Sequence, residues 1–124
     1  MILIISLDSD KKLQKALEIM IKQIIPLAKY ESFSSVHECY ECLKKKDVTV
    51  ALLSKEIGKN ILDYQIIISE MKTIQPDVNI ILVGEKPLDN ATAFWNMKNH
   101  VVDYIQKPVT LEKLKNALQF IDCS

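Results

Sequence analysis

Apolar runs and helical stripes alternate along the chain. Residues 2–7 (ILIISL) are almost continuously apolar and end at Asp8, Ser9 and Asp10. Leu13, Ala16, Leu17, Met20, Ile21 and Ile24 then recur at helical spacing, and Pro26 stops that helix. Residues 28–33 (AKYESF) are a short strand polar enough for a sheet edge. Ser35 with Glu38 three residues on is a capping box, followed by an inward face of Val36, Cys39, Tyr40 and Leu43. Residues 48–53 (VTVALL) form a third strand that runs into Ser54, Lys55 and Glu56. After Gly58, Leu62, Ile66, Ile67, Met71 and Ile74 mark a helix that ends before Pro76. Residues 78–83 (VNIILV) read as a strand closed by Gly84, and Ala93, Phe94 and Met97 as the inward face of a short helix. Residues 101–105 (VVDYI) give a last strand before Lys107 and Pro108. Thr110 caps a final helix with Leu111, Leu114, Ala117, Leu118 and Ile121 inward.

Five strand-then-helix units follow one another without repeat, linker or low-complexity segment, which predicts one domain over residues 1–124. Strands that are apolar throughout are buried on both faces, which means a parallel sheet. Alternation with helices means right-handed crossovers and a three-layer, doubly wound α/β fold. In such folds the working groups stand beyond the C-terminal ends of the strands. With only two glycines, the chain has no phosphate-cradling loop after any of them.

Composition narrows the classes further. The formal net charge is zero, and no basic stripe interleaved with aromatics is present, which argues against direct nucleic-acid contact. No apolar run approaches the ~20 residues of a membrane span. The N-terminal residues lack the basic region and cleavage site of a signal peptide. Three cysteines are an odd count, which points to a reducing, cytoplasmic setting rather than a disulfide framework. Cys39-x-x-Cys42 with His37 nearby has zinc-like spacing, but a second pair is missing, so both thiols are read as small core residues. Cys123 is a bystander near the C-terminus.

In this frame residues 93–114 (AFWNMKNHVVDYIQKPVTLEKL) resemble helix 4, strand 5 and helix 5 of the receiver domain of bacterial response regulators. Val102, Asp103, Tyr104, Ile105, Lys107 and Pro108 follow its "GADDYL-KP" stretch without a gap, with His100 in place of the usual glycine. The resemblance spans the whole chain and implies a flavodoxin-like five-stranded sheet of order 2-1-3-4-5. It implies phosphoryl transfer to an aspartate ending strand 3, with Mg²⁺ held by two acids after strand 1. It also implies a hydroxyl ending strand 4 and a lysine ending strand 5 that bind phosphate oxygens.

Carried over position by position, the pattern breaks. Asp8 matches the first acid, Ser9 falls at the second, and Asp10 sits one residue late. Ser54 takes the phosphoacceptor position, Val83 the hydroxyl position and Gly84 the small residue after it. Lys107 matches the lysine, and Pro108 a proline that is commonly cis in the family. A serine hydroxyl is a weak nucleophile without a base beside it. Mg²⁺ sheds water reluctantly and needs carboxylate charge, so Asp8 and Asp10 alone are weak ligands and no cofactor is expected. Val83 has no hydrogen to donate to a phosphoryl oxygen. The expectation is an atypical receiver without catalysis, in which Lys107 pairs with Asp8 rather than with phosphate. Asp8 or Asp10 then caps helix 1.

The expected function is phosphorylation-independent binding of a protein partner or a second copy through the helix 4–strand 5–helix 5 face. Tyr104 matches the family's switch aromatic and is expected to be set by packing alone. With Phe94 and Met97 inward, Trp95 is expected to point outward and anchor the contact; its other reading is a lid over a neighbouring loop. His100 is expected in a left-handed turn beside Asn99. Two rivals stand beside this reading: a phosphorylatable receiver using Asp8, Asp10 or Glu56, and the receiver part of a longer DNA-binding regulator.

Overall fold

The computed structural model describes residues 1–55 and 61–121, the side chains of residues 61 and 62 excepted. Glu56, Gly58 and Cys123, together with the Leu62 side chain, lie outside the described residues. The elements run β1 (Leu3–Leu7), α1 (Lys11–Ile24), β2 (Lys29–Phe33), α2 (Val36–Lys45), β3 (Val50–Ser54), α3 (Ile61–Ile74), β4 (Asn79–Gly84), α4 (Asn90–Lys98), β5 (Val101–Gln106) and α5 (Leu111–Ala117). The strands form one parallel sheet of order β2-β1-β3-β4-β5, as the alternation and the resemblance imply.

The apolar strands are explained by burial on both faces. Leu3, Ile5, Leu7, Ala51, Leu53, Ile80 and Leu82 pack on one side with Cys39 and Leu43 of α2 and Ile68 and Met71 of α3. Ile4, Val50, Leu52, Ile81, Val83 and Ile105 pack on the other with Leu17 and Ile21 of α1 and Leu114 and Ala117 of α5. Alternate residues along one strand therefore feed two cores, and no polar face remains on β1, β3 and β4, whereas the edge strands β2 and β5 keep exposed positions.

The helix starts follow from their caps. Asp10 accepts from the Lys12 and Leu13 amides at 2.9 and 3.3 Å, Ser35 from the Glu38 amide at 3.4 Å and Thr110 from the Lys113 amide at 3.2 Å. Between the two carboxylates after β1, it is Asp10 that caps α1. His100 turns the chain from α4 into β5 with φ of 58°. Among the described residues no helix is long and apolar enough to cross a membrane.

Helix α4 departs from expectation. Asp89 caps it by accepting from the Thr92 amide at 2.6 Å, and that start fixes which residues face inward. Thr92 and Asn96 are buried, whereas Phe94 and Met97 are 65% and 71% exposed. Trp95 does not point outward: it packs against the α2–α3 core, edge-on to Tyr64 with ring centroids 6.1 Å apart. The inward face of α4 is thus polar at its ends and carries the tryptophan between them, while apolar side chains lie outside. Apolarity alone therefore chose the wrong face.

Strand β5 also departs from a regular ladder. Ile80 pairs with Val101, but Ile81 pairs with Asp103, so Val102 is an inserted residue. The bulge leaves Val102 exposed beside α4.

Candidate functional site

The parallel register brings the strand ends together on one side of the sheet. Leu7 lies beside Phe33 and Leu53, Ser54 beside Val83, and Gly84 beside Gln106. Asp8, Ser54, Val83, Gly84 and Lys107 therefore converge, as expected. The Lys107 amide donates to the Gly84 carbonyl at 2.7 Å, and the Lys107–Pro108 peptide is cis.

Asp8 is 5% exposed, and both its oxygens are engaged. One accepts from the Asp10 amide at 2.8 Å, and the other faces the Lys107 ammonium at 3.4 Å. The first bond fixes the turn into α1, and the second balances a buried charge that desolvation would otherwise penalise. One oxygen of Asp10 is committed to the first-turn amides of α1, and Ser9 is exposed. Among the described residues no three Asp, Glu, His or Cys side chains converge as metal ligands do. Ser54 is 2% exposed at the end of β3, with the methyls of Val83 on the next strand.

A second cluster adjoins this pocket. Tyr104 is half-buried, and its hydroxyl donates to the Lys86 carbonyl in the β4–α4 loop. Packing alone does not set it, contrary to expectation. The Lys55 ammonium lies 5.3 Å from the Tyr64 ring centroid and 5.8 Å from that of Tyr104, within reach of the attraction between a cation and a π face. Gly84 makes this arrangement possible. A Cβ there would stand 2.6 Å from the Tyr104 hydroxyl oxygen and 3.0 Å from Cδ of Lys55. The absence of a side chain at position 84 lets tyrosine and lysine close over the end of β4.

Gln14 was not identified from the sequence as a site residue. It is buried on α1, and its carbonyl oxygen accepts from Ser6 and from Tyr30, the latter at 2.7 Å. Its amide donates to the Asp8 and Phe33 carbonyls at 3.1 and 3.0 Å, which ties the ends of β1 and β2 to α1. Burial pushes the Tyr30 hydroxyl up to about 12, so it stays protonated. The available signal was a polar residue three and seven positions before Leu17 and Ile21 on the inward stripe. The cysteines sit as expected: Cys39 and Cys42 are free and buried, and burial pushes the Cys39 thiol up to about 12.

With this geometry in hand, the chain is compared with known proteins. No protein-family model matches it, and no curated protein does. Solved structures do. A response regulator receiver domain protein (CheY-like) from Methanospirillum hungatei superposes with a TM-score of 0.80 at 13% identity, covering 97% of this chain and 92% of that one. A response regulator receiver domain protein from Clostridium thermocellum gives 0.78 at 20% identity, covering 97% and 93%. A protein described as pilus assembly-related from Burkholderia pseudomallei gives 0.80 at 15% identity, covering 97% and 88%. At these identities the likeness is one of fold: the chain has the flavodoxin-like fold of response regulator receiver domains.

Proposed function

We propose that this chain is an atypical receiver-type signalling domain that binds protein partners without being phosphorylated, holds no Mg²⁺ and catalyses no reaction. The observation that carries this reading is the make-up of the strand-end cluster. The serine at the acceptor position is buried and lies in register with a valine on the next strand, and the carboxylate left from the metal site is paired with the lysine left from the phosphate site. The pair is close to neutral, so it holds no surplus positive charge for an incoming phosphoryl group. Asp8 and Asp10 as alternative acceptors are opposed by the same contacts, since each already supports the turn into α1.

Tyr104 supports the reading from the other side. Its hydroxyl is held by a backbone carbonyl, and Lys55 lies over its ring, so its position needs no phosphate. The α4–β5–α5 face next to it is then permanently in one state and is the binding face. A pilus assembly-related protein among the matched structures supports a use of this fold beyond response regulators.

Beryllofluoride with Mg²⁺ mimics an acyl phosphate and tests this directly. The Trp95 fluorescence of the wild type is expected to stay unchanged across a titration. A saturable change that disappears in Asp8→Asn would show a working metal and phosphoryl site and end the reading.

A further inference from the structure

We propose that the polar hollow between α1 and β2 binds a small acidic amino acid, a molecule with two carboxylates and one ammonium. This goes beyond the reading of the domain as a protein-binding module and gives it a small-molecule effector. The hollow encloses about 450 Å³, a volume ordinary for small-molecule sites.

Its two walls follow from local periodicity. Lys11, Gln14, Lys15 and Glu18 fall three, four and seven positions apart on α1, so they share one stripe. Tyr30, Ser32 and Ser34 alternate along β2 and just past its end, so they share one face. Helix α1 runs back against the parallel strands β1 and β2 that it joins. That direction sets Lys11 and Lys15 toward Ser34 and Ser32, and Glu18 toward Tyr30. Lys11 and Glu18 are about 10 Å apart along the helix axis, so the hollow has a cationic end and an anionic end.

Charge gives the class of ligand. The side chains of Lys11, Lys15, Glu18, Ser32 and Ser34 form no ion pair or hydrogen bond with any described residue. Asp8 also borders the hollow, but Lys107 answers its charge at 3.4 Å. Among the described lining residues two cations and one anion therefore remain, and the β2 wall opposite them offers only neutral hydroxyls.

Tyr30 marks the ammonium end. The Gln14 amide donates to the Asp8 and Phe33 carbonyls at 3.1 and 3.0 Å, which turns its oxygen toward the hydroxyls of Ser6 and Tyr30. Tyr30 donates its one proton to that oxygen at 2.7 Å and is left as an acceptor. The Glu18 carboxylate adds to the burial that raises the Tyr30 hydroxyl, so its charge lies at the same end. An acceptor beside an anion suits an ammonium, and two cations beside two hydroxyls suit carboxylates. A dicarboxylate without the amine would leave Glu18 unanswered, and an amine alone would leave both lysines so.

The test titrates L-glutamate into the full chain, followed by calorimetry and by amide chemical shifts. Saturable binding is expected, with the largest shifts in residues 11–18 and 30–34. Glutarate, which lacks the amine, should bind about tenfold more weakly. Lys15→Gln should weaken glutamate binding about tenfold, whereas Lys12→Gln, exposed on the same helix but outside the hollow, should leave it unchanged. Glu18→Gln should bring glutamate and glutarate to equal affinity, and thermal unfolding confirms that each variant is folded. Equal losses in Lys12→Gln and Lys15→Gln would mean attraction to overall charge and overturn the site. Glutarate binding to the wild type as tightly as glutamate would mean a plain anion patch and overturn the ligand. No saturation by millimolar glutamate, or shifts centred outside the hollow, would end the inference.

Discussion

The strand-end pocket and the α4–β5 face have opposite characters. Among the described residues of the pocket, the two carboxylates after β1 are answered from within the chain: Asp8 by Lys107 and the Asp10 amide, and Asp10 by the start of α1. On the outward side of α4 and β5 the chain leaves apolar side chains exposed, at Phe94, Met97 and Val102. A folded chain tolerates exposed apolar groups most readily where something else covers them. The contrast supports the proposal that this domain works by recognition and not by chemistry at the strand ends.

The largest expected effect comes from breaking the pocket's balance. Lys107→Ala leaves the Asp8 carboxylate buried without its counter-charge and should cost about 2–3 kcal/mol in urea unfolding. That is below the 3–5 kcal/mol of fully buried pairs, because Lys107 keeps some exposure. Asp8→Asn combined with Lys107→Met should recover most of it. If the single variant is as stable as wild type, the pocket is not held by this pair.

On the face the corresponding experiment compares neighbours on α4. Trp95→Ala removes a side chain packed on the core and should cost about 2 kcal/mol. Phe94→Ser, one residue away and exposed, should stay within about 0.5 kcal/mol. Similar losses from both would erase the difference between the two faces of the helix.

Gly84 lies between the two regions. Gly84→Ala sets a methyl group against the Tyr104 hydroxyl and should cost about 1–2 kcal/mol by overpacking. Tyr104→Phe alone should cost about 1 kcal/mol for its hydrogen bond to the Lys86 carbonyl. Because the phenylalanine also removes the nearest obstruction, the double variant should cost less than the sum of the two. Additive losses would mean that Gly84 and Tyr104 do not meet.

The effect with the least consequence at neutral pH is a pH dependence confined to alkaline solution. The folded chain holds the Cys39 proton up to about 12, whereas the unfolded chain releases it near 9.0. The folded state therefore binds more protons across that interval, and the stability from a neutral Cys39 is present below pH 9 and falls as pH rises toward 12. Cys39→Ala should lower stability at neutral pH through lost packing, yet flatten the alkaline decline. An unchanged slope above pH 9 would show that Cys39 does not drive it.

Much of the fold was legible because the strands are apolar on both faces and the helices begin at Ser35 and Thr110, whose hydroxyls cap by a local rule. The meeting of Asp8, Ser54, Val83 and Lys107 was legible because strand ends of a parallel sheet must converge. The face of α4 was not. Its inward positions are Thr92 and Asn96, and its phase is fixed by the Asp89 cap, so apolar periodicity misplaced Phe94, Met97 and Trp95 together. The bulge at Val102 depends on pairing between strands distant in sequence, and the Gln14 network depends on the approach of β2 to α1. Neither leaves a local pattern.

The most direct test of the central claim is the intact mass of the wild-type chain after incubation with acetyl phosphate and Mg²⁺. The predicted result is an unchanged mass under conditions in which a receiver domain with its acceptor aspartate gains a phosphoryl group. A stoichiometric, hydroxylamine-sensitive phosphoryl adduct would contradict it.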